Sequence, residues 1–344
     1  MPCQTTFVAN RQIVLVRRPE GAVEESCFEA TVGPVPVPGP GEALIRNRLI
    51  AIDPAIRGWL NARGSGYMPG VEIGHVVRAS GVGEVVESNI DGYPVGTVVT
   101  AMTSWQDYTI ITTDPTRPFE FATPVAPDVT PIEAATVFSH SGWTAYVGVH
   151  RILDVQPGDN VLVTAAGSLV GSLAGQLARR AGATVIGTVG SAQKCAWCVD
   201  DLGFAACIDY RTDDVDQRLK EHFPKGIDKV FDNVGGATLD TVLRRIANGA
   251  HIALCGSVST DDVDEPYRLA NYDRLMSRRA TMRGFNTVDH LDLVPEIVSN
   301  YRTWLDDGSL VYETNVSHGL TSAPAALVGL YGGSGIGKSV IELE

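Results

Sequence analysis

The stretch Asn160-Val161-Leu162-Val163-Thr164-Ala165-Ala166-Gly167-Ser168-Leu169-Val170-Gly171-Ser172 decides the fold. Asn160–Thr164 reads as an apolar run of the kind found in strands buried on both faces. Past the turn, Leu173, Leu177 and Ala181 fall on one helical stripe. Strand, tight turn and amphipathic helix, in that order, open a dinucleotide-binding unit. Its glycines let backbone amides approach a pyrophosphate at the helix N-terminus. With Gly171 as the third glycine of G-x-G-x-x-G, the first two positions fall on Ala166 and Ser168. The fingerprint is therefore imperfect, and a ligand-free turn between strand and helix is its alternative. Gly167, Ser168, Leu169 and Val170 are the residues placed to meet the phosphates.

The chain downstream repeats the rhythm. Thr184–Val189 is a second buried strand, and the helix after it carries Ala192, Cys195, Val199 and Leu202 on one predicted stripe. Ala206–Tyr210, Lys229–Asn233, His251–Cys255 and Thr281–Phe285 follow, with helical stretches between most of them. Buried strands alternating with helices predict a doubly wound parallel sheet of the Rossmann kind. An NAD site carries Asp or Glu at the end of its second strand to hold the ribose 2′-hydroxyl. Here that strand ends Val189-Gly190-Ser191, with no acid, and Lys194 follows within a turn. A missing carboxylate beside a cation suits a 2′-phosphate, hence NADP(H), with Tyr210 and Arg211 closing the same pocket. The alternative is a lysine that only solvates a helix start.

Upstream, short β-like runs stand between Gly and Pro turns: Gln12–Val16, Glu42–Arg48, Val76–Ser80, Gly83–Glu87, Thr97–Ala101 and Tyr108–Thr112. They predict a compact barrel-like β domain. A helix at Ser322–Leu330 and a strand at Ser339–Leu343 close the chain, and that strand is placed to return to the first domain. The domains are expected at 1–138 plus 311–344, and at 139–310.

Composition agrees with this organisation. At 344 residues the chain is about twice the usual domain size, with 44% hydrophobic and 19% charged residues. A net charge of −13 argues against nucleic acid and anionic membranes as partners. No apolar run reaches the ~18 residues of a membrane span, and Asn10-Arg11-Gln12 interrupts any secretory pattern. Six cysteines in a chain of this size indicate a reduced, cytoplasmic setting.

Two motifs compete with this reading. Gly332-Gly333-Ser334-Gly335-Ile336-Gly337-Lys338-Ser339 fits the triphosphate-loop pattern letter for letter. Such a loop needs a strand before it and a helix after it, and the expected order here is the reverse. Cys195-Ala196-Trp197-Cys198 has redox or zinc spacing, but it lies inside a helix, with Cys195 and Val199 expected on the buried stripe.

Several segments, taken together, resemble one family. They include Ile52-Asp53-Pro54-Ala55-Ile56-Arg57-Gly58-Trp59, Tyr67-Met68-Pro69, Ile73-Gly74-His75-Val76-Val77, Gly142-Trp143-Thr144-Ala145-Tyr146, Phe231-Asp232-Asn233-Val234-Gly235-Gly236 and Leu254-Cys255-Gly256. The resemblance is to the zinc-independent medium-chain dehydrogenase/reductases, in the group of leukotriene 12-hydroxydehydrogenase, prostaglandin reductase and alkenal double-bond reductases. It implies a GroES-like β domain built from both chain ends, a Rossmann domain, NADPH and a homodimer. It also implies no metal: Gly74-His75 is followed by Val76 rather than Glu, and no four-cysteine cluster is present.

By the resemblance, Lys194 and Tyr210 match contacts to the 2′-phosphate. Asn233, Cys255, Gly256 and Phe285 match strand-end positions along the cofactor, beside Gly190, Ser191 and Ser257, and Thr144 lies near the nicotinamide. Tyr67 matches an aromatic on the substrate side, as a hydrogen-bond donor or as packing. The chemistry implied is hydride delivery to the β-carbon of an α,β-unsaturated aldehyde or ketone. Quinone or carbonyl reduction, a specialised biosynthetic reduction and non-catalytic NADPH binding are the alternatives.

Departures from the family pattern concentrate on the substrate side. Ser257-Val258-Ser259-Thr260-Asp261-Asp262 places Asp261 where the family has a tyrosine. Gly-Met-Pro-Gly becomes Ser139-His140-Ser141-Gly142, and the terminal Asn becomes Gly335. His140 is the candidate that supplies the missing proton or hydrogen bond, the alternative being a surface or packing histidine.

Overall fold

The structure, a computed structural model, describes residues 9–65, 67–114, 116–117, 120–260, 267–333 and 335–344. The chain divides into two compact units: Met1–Ala135 with Asn315–Gly335 and Ser339–Glu344, and Thr136–Thr314 with Ile336–Lys338.

In the first unit, β1 (Ala9–Leu15) pairs antiparallel with β2 (Phe28–Pro34). The central strand β3 (Glu42–Ile52) pairs with β4 (Gly81–Ser88) and with β6 (Tyr108–Thr112), while β5 (Val98–Ala101) joins β4 to β7 (Ala122–Pro124). Two short helices, α1 (Ala55–Trp59) and α2 (Pro131–Ala135), complete its N-terminal part. Ile50, Ile52, Trp59 and Trp105 form much of the core.

The expected strand Val76–Ser80 is not a strand. Its backbone groups go singly to several partners: Val77 N to Ile13 O, Trp105 N to Val77 O and Ser104 N to Ala79 O. Only an isolated bridge between Val14 and Val76 forms, so no ladder can run.

The second unit opens with α3 (His140–Val147), which continues into a π-helical turn over Gly148–Leu153. Six parallel strands follow: β8 (Asn160–Thr164), β9 (Thr184–Val189), β10 (Ala206–Asp209), β11 (Ile227–Asp232), β12 (Ile246–Leu254) and β13 (Thr281–Gly284). Between them lie α4 (Leu169–Arg180), α5 (Ala192–Asp200), α6 (Val215–His222), α7 (Gly236–Leu243) and α8 (Arg274–Ser277), and α9 (Val294–Asp306) comes after β13. The sheet order β10-β9-β8-β11-β12-β13 reverses direction at β8 and β11, which makes that junction the topological switch point.

On α4, Leu169, Leu173 and Leu177 are fully buried. Of the stripe expected along α5, Leu202 just past its end is fully buried, but within the helix the face is shifted: Trp197 and Cys198 face inward, Cys195 is half-buried, Ala192 is exposed and Val199 is 38% exposed. Trp197 has the largest apolar surface on that helix, and turning it inward rotates the face by about 100°, one residue.

After α10 (Ala323–Tyr331), β15 (Lys338–Glu342) pairs antiparallel with β3, placing Val340 opposite Ala51, with β14 (Thr314–His318) on its other side. The C-terminal strand thus returns to the first sheet. Among the described residues no helix is long and apolar enough to cross a membrane.

Candidate cofactor site

The first element of the site is the turn from β8 into α4. Ser168 caps the helix: its Oγ accepts from Gly171 N at 3.1 Å and donates to Ala165 O at 2.8 Å. Ala165 adopts a left-handed conformation (φ +49°), which makes the turn tight. A Cβ on Gly171 would stand 2.4 Å from Ala165 O, so a residue without a side chain is required there. The first N–H groups of α4 thus begin at the carboxyl end of β8, where an anion gains from the helix dipole and from helix N–H donors.

The second element gathers at the ends of β9 and β10. A Cβ on Gly167 would lie 3.1 Å from Cδ of Lys194, and one on Gly190 would lie 2.6 Å from the Tyr210 hydroxyl and 3.2 Å from Arg211 Nε. Lys194 thus lies along Gly167 while Tyr210 and Arg211 lie along Gly190, and Arg211 is near enough for its charge to act on Lys194. Ser191 caps α5, its Oγ accepting from Lys194 N at 3.3 Å, which fixes where the lysine leaves the helix. Burial and then the charge of Arg211 push the Lys194 ammonium below its ordinary pKa. Two cations and a phenol at the ends of adjoining strands form a donor set suited to a phosphate dianion, whose charge relieves the repulsion between Lys194 and Arg211. These residues fit a 2′-phosphorylated dinucleotide.

A third element knits the ends of β8, β11 and β12. Thr164 Oγ1 donates to Asp232 Oδ1 at 2.8 Å and accepts from Asn233 N at 2.8 Å, while Asn233 Nδ2 donates to Thr164 O at 2.7 Å. Val234 N and Gly235 N also donate to the Asp232 carboxylate. Burial raises the pKa of that carboxyl group, and these donors oppose the rise. Cys255 N and Gly256 N both reach Asp232 O, and Ser257 lies close above Gly235. Asn233, Cys255, Gly256 and Ser257 are thus brought together. Burial and the Asp232 charge raise the Cys255 thiol to about 12, so it is held as a neutral group rather than a nucleophile.

The fourth element is α3. Ser139 caps it by accepting from Ser141 N at 3.1 Å, His140 is its exposed first residue, and Thr144 Oγ1 donates to His140 O at 2.7 Å. Behind it, the Tyr146 hydroxyl donates to Glu296 Oε1 at 2.5 Å and accepts from Asn300 Nδ2 at 2.8 Å. The Tyr301 hydroxyl donates to Gly142 O at 2.7 Å. Phe285 packs edge-on to Phe231, and Gly148 leaves room for both rings. Glu296, Asn300 and Tyr301 all come from α9, and sequence reasoning did not find these supports.

Tyr67 belongs to the first unit and is 63% exposed. Its loop is closed by Ser65 N to Met68 O at 3.0 Å and Val71 N to Trp59 O at 2.7 Å, with Arg78 Nη1 donating to Pro69 O at 2.7 Å. Asp261 and Asp262 lie outside the described residues. The triphosphate-like segment has α10 before it and β15 after it. In the Cys195–Cys198 segment, burial and a hydrogen bond with Cys207 hold the Cys195 thiol up at about 12. Among the described residues no group of three or more His, Cys, Asp or Glu side chains is arranged to hold a metal.

A parallel sheet of this order, with this turn and this cationic group, defines a dinucleotide-binding class of protein. Two family models match the chain: one described as the N-terminal domain of oxidoreductase over residues 11–118, and one described as zinc-binding dehydrogenase over residues 170–302. A 2-alkenal reductase (NADP(+)-dependent) of Nicotiana tabacum is 32% identical over 97% of both chains. The NADPH-dependent curcumin reductase of Escherichia coli is 33% identical, again over 97% of both. The crystal structure of CurA from Vibrio vulnificus in complex with NADPH superposes with a TM-score of 0.90 at 34% identity, covering 97% of this chain and 99% of that one. The chain belongs to the zinc-independent medium-chain dehydrogenase/reductases, in the group of alkenal double-bond and prostaglandin reductases.

Proposed function

We propose that the protein is an NADPH-dependent reductase of the carbon–carbon double bond of an α,β-unsaturated ketone or aldehyde. The observation that carries the reading is Lys194 against Gly167 beside Tyr210 and Arg211 against Gly190, where β9 ends without an acid. It is supported by relatives named as reductases of 2-alkenal, curcumin and pulegone.

Bound at this site, NADPH supplies a hydride from C4 of its nicotinamide. Lys194, Tyr210 and Arg211 hold the 2′-phosphate, and the start of α4 receives the pyrophosphate. Asn233, Cys255, Gly256 and Ser257, gathered at the strand ends, would line the cofactor when it is bound, and Thr144 and Phe285 would hold its nicotinamide end. Hydride addition at the β-carbon builds negative charge on the carbonyl oxygen, which hydrogen-bond donors must meet before the α-carbon is protonated. Tyr67 and His140 are the proposed donors. His140 takes on part of the work that the family assigns to a tyrosine at position 261. An altered substrate side of this kind suits a substrate other than the common alkenals, and the working form is a homodimer.

The test is NADPH oxidation with a panel of enals, enones and quinones, followed by mass and NMR analysis of products. Saturated ketones or aldehydes are expected. Turnover on none of the panel, or products reduced only at the carbonyl, would overturn the reading.

A further inference from the structure

The triphosphate-like segment has a place in the second unit that its pattern does not announce. Ile336–Lys338 belongs with that unit, although the residues on both sides of it belong with the first. Gly337 N donates to Gly167 O at 2.8 Å, and Ser168 and Gly337 form a parallel bridge, so this short run lies directly along the dinucleotide turn. Lys338 N donates to Glu313 O at 3.0 Å, which ties the run from its other side. Gly337 has φ +80°, and a Cβ there would stand 1.9 Å from Glu313 O, so no other residue fits without moving backbone.

The next residue reaches in a different direction. Lys338 is only 5% exposed, and its Nζ lies 3.3 Å from the Oγ of Ser141, itself buried in the first turn of α3. Ser141 follows His140 and stands one turn before Thr144. A cation at a helix N-terminus opposes the helix dipole. Stabilising α3 as a helix therefore does not explain the lysine, whereas fixing where its first turn lies does.

We propose that Ile336–Lys338 is a strap with two ends, and that Lys338 is a positioning residue. Gly337 holds the turn that receives the pyrophosphate, and Lys338 holds the turn of α3 that carries His140 and Thr144 toward the nicotinamide. The proposal rests on the NADPH reading above.

Its two ends are separable by ligand. The pyrophosphate is common to NADPH, NADH and the fragment 2′-phospho-ADP-ribose, which lacks the nicotinamide. Gly337→Ala is expected to weaken all three by a common factor of about tenfold. Lys338→Met is expected to weaken NADPH by about fivefold, to leave the fragment unchanged, and to be rescued by Lys338→Arg. Affinities are measured by calorimetry on the full chain, with thermal melts of each unliganded variant as a folding control. A general loss of structure would weaken the fragment as much as NADPH.

Two results would overturn the strap: wild-type affinity for NADPH in Lys338→Met, or equal losses for NADPH and the fragment in that variant. If Gly337→Ala does not fold, the Lys338 pair of variants decides alone. Wild-type protein that binds neither NADPH nor the fragment would overturn the cofactor reading instead.

Discussion

Two glycine-rich turns in this chain invert the usual relation between motif and role. The turn at 165–171 is a poor match to its fingerprint, with Ala166 and Ser168 where two glycines are expected. Yet it sits between a buried strand and a helix, capped by Ser168, with Lys194 laid across Gly167. The turn at 332–339 matches its pattern at every letter but sits between a helix and a strand. A phosphate site is made by donors aimed from a helix start, and letters do not supply those donors when the flanking elements are reversed. The first turn needs one glycine absolutely, Gly171, because backbone stands where its Cβ would go. The second needs Gly337 for the same physical reason, but the backbone crowding it is that of Glu313.

The comparison can be broken at several points. The largest effect is expected from Lys194→Ala, which should weaken NADPH about 100-fold, roughly 2.8 kcal/mol, while leaving NADH nearly unchanged. Parallel titrations with the two cofactors check this, and equal losses would show that the lysine does not read the 2′-phosphate. Next, Gly171→Ala should destabilise the protein by about 1–3 kcal/mol through overpacking against Ala165 O. It should also weaken both cofactors; a melt and a titration on one sample test both parts.

Removing the cap is milder. Ser168→Ala should cost about 1 kcal/mol of stability, read from denaturant midpoints. A control away from both turns is His150, whose pKa burial pushes below its ordinary value while Glu296 opposes the shift. As pH falls below about 6.5 the unfolded chain takes a proton that the folded chain resists, so stability falls over that range. His150→Gln should flatten that part of the stability profile. Smallest of all, magnesium ATP added to protein saturated with NADPH should give no further shift in melting temperature, because the second turn follows a helix and runs into a strand.

Legibility in the sequence followed the same physics. Strands buried on both faces are apolar throughout, and Asn160–Thr164 and Thr184–Val189 are read to the residue. β2 escaped notice because only Phe28 of its seven residues is buried, leaving no periodic signal. β7 is three residues long, and β12 begins with a polar stretch at Ala247–Gly249 that hides its start. The approach of Lys194 to Gly167 and of Tyr210 and Arg211 to Gly190 was legible because turns at strand ends keep fixed spacings along the chain. The supports of α3 were not: Tyr301 meets Gly142 across 159 residues, and Lys338 meets Ser141 across 197. The stripe on α5 was misplaced by one residue because periodicity alone does not weigh the bulk of Trp197 against that of Cys195.

The most direct test of the account follows the hydride itself. Wild-type protein is mixed with an enone and NADPH deuterated at C4, each C4 epimer in turn, and the product is examined by NMR. Deuterium on the β-carbon of a saturated ketone, from one epimer only, is the predicted result. Bound NADPH that delivers no deuterium to any substrate of the panel, or deuterium on the carbonyl carbon, would contradict it.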